Sequence, residues 1–200
     1  MEKRCVRLGI TFNKMISDKY VRIGAYLQKI LPGVLKIVCT KNLVYVYVKK
    51  EKLFLTLLFL KKHHALRLNS LLDIWGMDNL GGLDRFIVNY LLLSVKYNTR
   101  VIVKVLVDDF SGLESVETIF SSAGWLEREV WDMFGVYFYN NKDLRRILTD
   151  YGFEGYPLRK DFPLSGFVEV RYDDSYKTVL QEPLEVSQAF RIFDFKSPWE

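Results

Sequence analysis

The chain has 200 residues, of which 50% are hydrophobic and 26% are charged, as is ordinary for a globular protein. Its longest apolar run, residues 53–60, is far shorter than the roughly 20 residues of a membrane-spanning helix, and the first residues lack the apolar core of a secretory signal. Residues 1–100 carry 18 Lys and Arg against 6 Asp and Glu, whereas residues 101–200 carry 11 against 18. The basic residues are scattered, which favours a solvated face, or a face that meets an acidic partner, over nucleic-acid binding.

The first 110 residues show the hydrophobic spacing of an α+β domain. A helix is predicted from Met15 to Leu31, where Pro32-Gly33 ends it. Two β-rich runs joined through Lys41-Asn42 predict a hairpin, Val34–Cys39 with Leu43–Val48. Residues 50–62 fit a strand or a helix, and their length and leucine spacing favour a helix. Further strands are predicted over Leu71–Trp75, Phe86–Val95 and Val101–Val107. The expected fold class is therefore α+β, a mixed sheet with two or three packed helices.

Two helices are predicted between residues 111 and 135. Ser111 and Glu114 match a capping box that opens a short helix through Phe120. Gly124 is predicted to be the N-cap of a second helix, and Gly135 closes that helix in the left-handed conformation. Its apolar face consists of Leu126, Val130, Met133 and Phe134. The core domain is expected to span residues 1–140.

The character of the sequence changes after Asn140. Four of the five prolines and 11 of the 30 aromatic residues lie beyond residue 150, yet only one hairpin is predicted there, Val168–Tyr172 with Lys177–Leu180. Disordered tails are usually poor in aromatic residues, and a proline-broken segment cannot bury so many rings against itself. Residues 141–200 are therefore predicted to be an extended C-terminal segment that wraps a partner, at least in part.

No arrangement of residues identifies an active site. The two histidines, His63 and His64, are adjacent, which makes a poor metal site, and no nucleophile motif accompanies them. The two cysteines, Cys5 and Cys39, have no metal-ligand spacing, whereas an iron–sulfur cluster commonly takes four. The glycine-rich phosphate-binding motifs do not occur. An independent enzyme and a basic nucleic-acid-binding domain are the alternatives to an interaction protein.

Charged residues concentrate in the second predicted helix and in the loop after it. Paired carboxylates there could perform acid–base chemistry. Their alternation with arginines favours ion-pair networks, and arginine forks also bind carbonyl groups at protein–protein surfaces. The clusters consist of Glu127, Arg128, Glu129, Asp132, Asp143, Arg145, Arg146, Asp150 and Glu154.

Residues 127–136, EREVWDMFGV, resemble the signature of the 30 kDa subunit family of respiratory complex I. The resemblance continues in the family's order through residues 143–166, 168–174, 181–195 and 197–200. Residues 1–110 match the family only in layout. Two positions depart from the family pattern, because Asn141-Lys142 replace a His-Pro pair and Tyr156 replaces a second histidine.

The resemblance implies a non-catalytic core subunit of the proton-pumping NADH:ubiquinone oxidoreductase, which scaffolds the quinone-reducing part of its hydrophilic arm. It implies no cofactor in this chain, whereas the whole complex uses FMN, iron–sulfur clusters, NADH and ubiquinone. The implied partners are other hydrophilic-arm subunits, chiefly the large quinone-site subunit of the 49 kDa type, with no nucleic acid and no direct membrane span. The implied location is the matrix side of the mitochondrial inner membrane, or the cytoplasmic face in a bacterium. The equivalent subunit of a hydrogenase-like or plastid-type complex is the alternative.

The charged clusters and the aromatic rings of the C-terminal segment together predict a partner interface and no catalytic, cofactor-binding or metal site. The predicted interface residues are Glu127, Arg128, Glu129, Asp132, Arg145, Arg146, Asp150, Tyr151, Phe153, Pro157, Phe162 and Trp199.

Overall fold

The computed structural model describes residues 19–31, 33–82, 84–185, 191–193 and 195, together with the backbone of residues 10–12 and 18. This part of the chain contains three α-helices, α1 (Asp18–Ile30), α2 (Leu53–Lys62) and α3 (Ala123–Phe134). A 3-10 turn, Lys50–Lys52, leads into α2. The strands are β1 (Ile10–Phe12), β2 (Val34–Cys39), β3 (Val44–Val48), β4 (Ser70–Asp78), β5 (Phe86–Ser94), β6 (Thr99–Val107), β7 (Leu113–Glu114), β8 (Phe138–Tyr139), β9 (Val168–Asp173) and β10 (Thr178–Pro183).

Six strands form one mixed sheet in the order β1-β2-β3-β6-β5-β4. The β1–β2 and β3–β6 pairs are parallel, and the other neighbours are antiparallel. Side chains alternate between the two faces of each strand. In β3 the three valines, Val44, Val46 and Val48, are buried, whereas Tyr45 and Tyr47 on the other face are half-buried. One face of the sheet therefore carries the core.

All three helices pack on the face that carries the β3 valines. In α1, Gly24 lies so close to the Cys39 side chain that a Cβ atom would not fit. In β4, the missing side chain of Gly76 leaves room for the Phe134 ring at the end of α3. Helix α2 contributes Leu53, Leu57 and Leu60, which are fully buried. Each buried leucine contributes about 1.5–3 kcal/mol relative to an exposed one, so this single-sided core carries the fold.

The structure confirms most of the predicted elements and corrects two. The β2–β3 hairpin, the helix within residues 50–62, strands β4 to β6 and the C-terminal hairpin all form as predicted. The predicted helix from Met15 corresponds to α1, although Met15 and Pro32 lie outside the described residues. Gly135 ends α3 with φ 77°, as predicted.

The predicted helix from Ser111 to Phe120 is wrong, because long-range backbone pairing replaces it. Leu113 and Ser115 donate backbone hydrogen bonds to the carbonyl groups of Tyr137 and Tyr139, which forms the parallel β7–β8 pair. A local capping signal cannot reveal that competing partner. Helix α3 also has Ser122 as its N-cap, two residues before the predicted N-cap Gly124.

The chain divides into two compact units, residues 1–159 and residues 160–200. The first unit contains the sheet, the three helices and residues 141–159. In the described part of the second unit, the regular structure is the β9–β10 hairpin. The predicted boundary after Asn140, which separates a core from a partner-wrapping segment, stays a prediction.

Candidate functional site

Asp132 of α3 fixes the irregular segment that follows β8, residues 140–159, which we call the anchored segment. The Asp132 side chain is fully buried. Its Oδ2 atom accepts hydrogen bonds from the backbone N–H groups of Ile147, Leu148 and Thr149 at 3.2, 2.7 and 2.9 Å. Its Oδ1 atom accepts hydrogen bonds from the Thr149 hydroxyl at 2.7 Å and from Arg146 at 3.3 Å. One carboxylate thus satisfies backbone donors that neither helix nor strand would satisfy.

Glu127, also fully buried, joins α3 to two other parts of the first unit. It accepts hydrogen bonds from the Ser115 hydroxyl and the Val116 backbone N–H, both at 2.7 Å. The side-chain amide of Asn141 donates a third at 2.8 Å. Glu127 therefore ties the residues just after β7 and the start of the anchored segment to the same turn of helix.

The two carboxylates differ in proton affinity. Burial raises the pKa of Glu127 above its ordinary value, and its hydrogen bonds offset this only in part. Burial acts on the pKa of Asp132 in the same direction, but hydrogen bonds from Thr149, Leu148 and Ile147 outweigh it and hold that pKa below its ordinary value. The buried Tyr90 hydroxyl also has a raised pKa, chiefly from burial and then from the Glu127 charge. The surroundings of Asp132 thus favour its charged form, whereas those of Glu127 shift its pKa towards higher values.

Two arginines enclose the ring of Tyr156 in the anchored segment. The guanidinium groups of Arg159 and Arg146 lie 4.6 and 5.0 Å from the ring centre. Arg159 also donates a hydrogen bond to the Phe134 carbonyl at 2.6 Å, and Arg146 donates one to the Gly155 carbonyl at 2.8 Å. Arg146 was among the predicted interface residues, whereas Arg159 was not, and Tyr156 was noted only as the replacement of a family histidine. Their tight packing beside the left-handed Gly135 depends on long-range contacts, so the sequence carried no local signal for it.

A shallow pocket of about 280 Å³ opens beside α3. Its walls include the exposed ring of Trp125, and the Arg128 guanidinium lies 4.7 Å from the centre of that ring. Arg128 also donates a hydrogen bond to the Arg145 carbonyl at 3.3 Å. At the rim, Arg145 and Asp143 pair at 2.9 Å while both stay exposed. An exposed tryptophan among arginines is typical of protein-binding surfaces.

The predicted interface residues divide between the interior and the surface. The buried ones are Glu127, Arg128 and Asp132, the half-buried ones are Arg146, Phe153, Pro157 and Phe162, and the exposed ones are Glu129, Arg145, Asp150 and Tyr151. Trp199 lies outside the described residues. All of the described ones belong to the first unit except Phe162, which belongs to the second. Contact of these residues with a partner stays a prediction.

The β9–β10 hairpin of the second unit exposes an apolar face. The strand register places Val168, Val170 and Tyr172 on one face with Val179 of the other strand. The side chains of Val170, Tyr172 and Val179 are 53%, 59% and 62% exposed. The other face is polar, and Arg171 and Glu182 pair across it at 2.6 Å. A two-stranded hairpin is marginally stable alone, and an exposed apolar face on it indicates a binding surface.

Among the residues that the structure describes, no group of three or more His, Cys, Asp or Glu side chains is placed to hold a metal ion. None of the helices described is long and apolar enough to cross a membrane. The Cys39 thiol is buried, which raises its pKa, and it donates a hydrogen bond to the Tyr20 carbonyl.

Comparisons with known proteins converge on one family. The sequence profile described as "Respiratory-chain NADH dehydrogenase, 30 Kd subunit" matches residues 46–168. A relative from Oryza sativa subsp. japonica, "NADH dehydrogenase (ubiquinone) iron-sulfur protein 3", is 58% identical over 154 residues, covering 77% of this chain and 81% of the relative. "NADH-ubiquinone oxidoreductase subunit 9" from Reclinomonas americana is 51% identical over 178 residues, covering 88% and 87%.

A solved structure is also similar to this chain. It is a chain of the membrane-bound sulfane sulfur reductase, an archaeal respiratory membrane complex. The TM-score is 0.61 with 27% sequence identity, and the match covers 74% of this chain and 87% of the other.

Proposed function

The chain belongs to the 30 kDa subunit family of the respiratory-chain NADH dehydrogenase and is a core subunit of complex I, and we propose that its role there is positional rather than catalytic. In this proposal the chain scaffolds the quinone-reducing part of the hydrophilic arm. Its first unit is the rigid body, and its second unit attaches that body to a neighbour. The reactions with NADH and ubiquinone take place in other subunits.

The apolar face of the β9–β10 hairpin is the observation that carries this proposal. Val170, Tyr172 and Val179 leave more than half of their side-chain surface in water. Burying a side chain of this size contributes about 1.5–3 kcal/mol, so docking of this face provides a strong driving force for association. The expected partner is the large quinone-site subunit of the 49 kDa type.

The relatives' name, iron-sulfur protein 3, raises the question whether this chain binds a cluster itself. Clusters are commonly held by four cysteine thiolates, and this chain has two cysteines, Cys5 and Cys39. Cys39 is 1% exposed and enclosed by α1, so its thiol does not face a cluster-sized space. The donor set does not fit an iron–sulfur cluster. We assign the clusters, FMN and the nucleotide to other subunits of the complex.

The proposed location is the inner mitochondrial membrane, on its matrix side and by way of partner subunits. The plant and protist relatives, named as subunits of NADH dehydrogenase or NADH-ubiquinone oxidoreductase, support a place in the mitochondrial respiratory chain. An equivalent role in a sulfane sulfur reductase is less well supported, because identity to that chain is 27% against 51–60% for the NADH dehydrogenase relatives.

Removal of residues 160–200 tests the proposal. We expect the shortened chain to keep its circular dichroism spectrum, because the sheet, the helices and the anchored segment belong to the first unit. Its unfolding free energy should change by less than about 1 kcal/mol, whereas its incorporation into complex I should fall at least tenfold. The matched control is Glu169→Lys, which reverses one charge on the polar face of the hairpin and leaves its apolar face unchanged. Normal incorporation of the shortened chain would contradict the attachment role, and stoichiometric iron in the purified full chain would contradict the cofactor assignment.

A further inference from the structure

Arg128 of α3 is a buried charge whose hydrogen-bond donors are mostly unused. The residue is 8% exposed. An arginine carries five N–H donors, one on Nε and four on the two terminal nitrogens. Within the part of the chain that the structure describes, Nε–H donates to the Arg145 carbonyl at 3.3 Å, whereas no acceptor binds the terminal nitrogens and no carboxylate pairs with them. Because an unpaired buried charge is costly, buried arginines are almost always paired. Arg128 therefore has binding capacity that its own chain does not use.

The unused donors of Arg128 belong to the shallow pocket beside α3. Arg128 lies in the wall of that pocket, and its terminal nitrogens are not sealed from solvent. The ring of Trp125, which is 66% exposed, has its centre 4.7 Å from the guanidinium carbon. This contact and the hydrogen bond from Nε hold the guanidinium group in place before any ligand arrives. Such preorganisation lowers the entropic cost of binding.

The other charges at the pocket already have partners within the chain. Asp143 pairs with Arg145 at 2.9 Å. Glu117 accepts a hydrogen bond from the Lys142 backbone N–H at 3.4 Å and lies 3.8 Å from the Lys142 ammonium group. In the described part of the wall, Arg128 is therefore the cation without a counter-ion.

This charge pattern favours a carboxylate as the ligand. The planar guanidinium fork matches the two oxygens of a carboxylate, and the pair is charge-assisted. A phosphate group or a nucleic-acid strand brings more negative charge, which the neighbouring Glu117 and Asp143 carboxylates repel. One unmatched cation between two carboxylates suits a single monoanion. Since Nε is engaged by the Arg145 carbonyl, that monoanion must approach the two terminal nitrogens end-on.

The size and lining of the pocket favour a protein side chain over a small molecule as the source of that carboxylate. The pocket measures about 280 Å³. Cofactor and small-molecule sites usually have volumes of roughly 300–1,000 Å³ and mostly apolar walls. Here Trp125 is the one large apolar residue in a wall made mainly of charged and polar residues. An exposed tryptophan beside an arginine is instead typical of the residues that anchor protein–protein interfaces.

We propose that this pocket binds an Asp or Glu side chain of another subunit of complex I. Its carboxylate accepts two hydrogen bonds from the terminal nitrogens of Arg128, and its aliphatic part packs on the Trp125 ring. The contact belongs to the first unit and is separate from the hairpin surface of the second unit. This inference rests on the proposed function, since it requires a neighbouring subunit at the chain's surface.

An experimental structure of the assembled complex tests the inference directly. We expect two carboxylate oxygens of another subunit at about 2.7–2.9 Å from the terminal nitrogens of Arg128. A pocket that holds only water, a phosphate or other free ion, a second copy of this chain or a side chain of this chain itself would overturn the inference. Absence of the chain from the complex would instead overturn the proposed function.

A conservative substitution supplies a second readout. Arg128→Lys keeps the positive charge but removes the fork, so incorporation into the complex should fall about tenfold. The matched control, Arg100→Lys, makes the same change at an exposed arginine of β6 and should stay within twofold of wild type. Equal incorporation of the two variants would contradict the inference. Should Arg128→Lys fail to fold, the structure of the wild-type complex decides.

Discussion

The anchored segment, residues 140–159, and the β9–β10 hairpin that follows it differ in their backbone pairing and in the packing of their side chains. Neither region has a core of its own. The anchored segment lacks helix and strand after β8, yet Asp132, Glu127, Arg146 and Arg159 hold its backbone and rings against the first unit. The hairpin has regular backbone pairing, yet its apolar side chains stay exposed. Regular secondary structure therefore does not show which region is complete within the chain.

The largest expected effect comes from removing the centre of the anchored segment. Asp132→Ala removes a fully buried carboxylate and leaves three part-buried backbone N–H groups and Arg146 without their acceptor, which should cost about 3–5 kcal/mol of unfolding free energy. Denaturant unfolding followed by circular dichroism measures this. The matched control is Asp143→Ala, which removes an exposed carboxylate and should cost less than about 0.5 kcal/mol. Equal losses would show that Asp132 does not organise the segment.

Two adjacent arginines give the next largest contrast. Arg146→Ala removes hydrogen bonds to Asp132 and Gly155 and the contact with Tyr156, and should cost about 1.5–3 kcal/mol. Arg145→Ala removes an exposed ion pair and should change stability by less than about 0.5 kcal/mol. In the complex, Arg145→Ala should lower the amount of assembled complex and leave the turnover per assembled complex unchanged. Normal assembly with lost turnover would point to a catalytic role.

The two buried carboxylates should make stability depend on pH in opposite directions. The raised pKa of Glu127 means that its contribution is fully present below 4.5 and is lost as the pH rises through its folded-state value. The lowered pKa of Asp132 means that its contribution is present above 3.8 and is lost as the pH falls through its folded-state value.

Glu127→Gln separates these two effects because glutamine binds no proton in this range. The stability of the variant relative to wild type should increase as the pH rises above 4.5, when measured by denaturant unfolding at several pH values. Glu129→Gln on the exposed side of α3 serves as the control for loss of charge from the helix, and should change stability by less than about 0.5 kcal/mol. A constant difference between Glu127→Gln and wild type would contradict the burial argument.

The smallest effect on the isolated chain is expected on the hairpin. Tyr172→Lys changes a side chain that is 59% exposed, so stability should change by less than about 0.5 kcal/mol. Incorporation into complex I should nevertheless fall several-fold, because the apolar face then carries a charge that must be desolvated. Lys177→Ala in the turn is the control, with no expected effect on incorporation. A large loss of stability with Tyr172→Lys would mean that the ring packs within the free chain.

The sequence was sufficient to predict those elements that form because of patterns among neighbouring residues. Two β-rich runs predicted the β2–β3 hairpin, leucine spacing favoured α2, and a second hairpin was predicted over residues 168–180. The helix predicted from Ser111 to Phe120 does not form, because Leu113 pairs with Phe138, which lies 25 positions away. The capping pattern carries no information on that pairing. The charge pattern in α3 predicted ion pairs, and Arg146 does pair with Asp132. However, most of the hydrogen bonds to Asp132 and Glu127 come from backbone, hydroxyl and amide groups. Those partners depend on how distant segments meet, which spacing does not encode.

Hydrogen exchange over residues 168–183 tests the central claim, that the hairpin completes its packing on another subunit. The measurement compares the backbone amides of this range in the isolated chain and in assembled complex I, with β5 and β6 as the protected reference. We predict exchange at least a hundredfold slower in the complex than in the isolated chain, because a lone two-stranded hairpin is marginal in water. Equal protection in the two states would contradict the account, since the hairpin would then be complete within the chain itself.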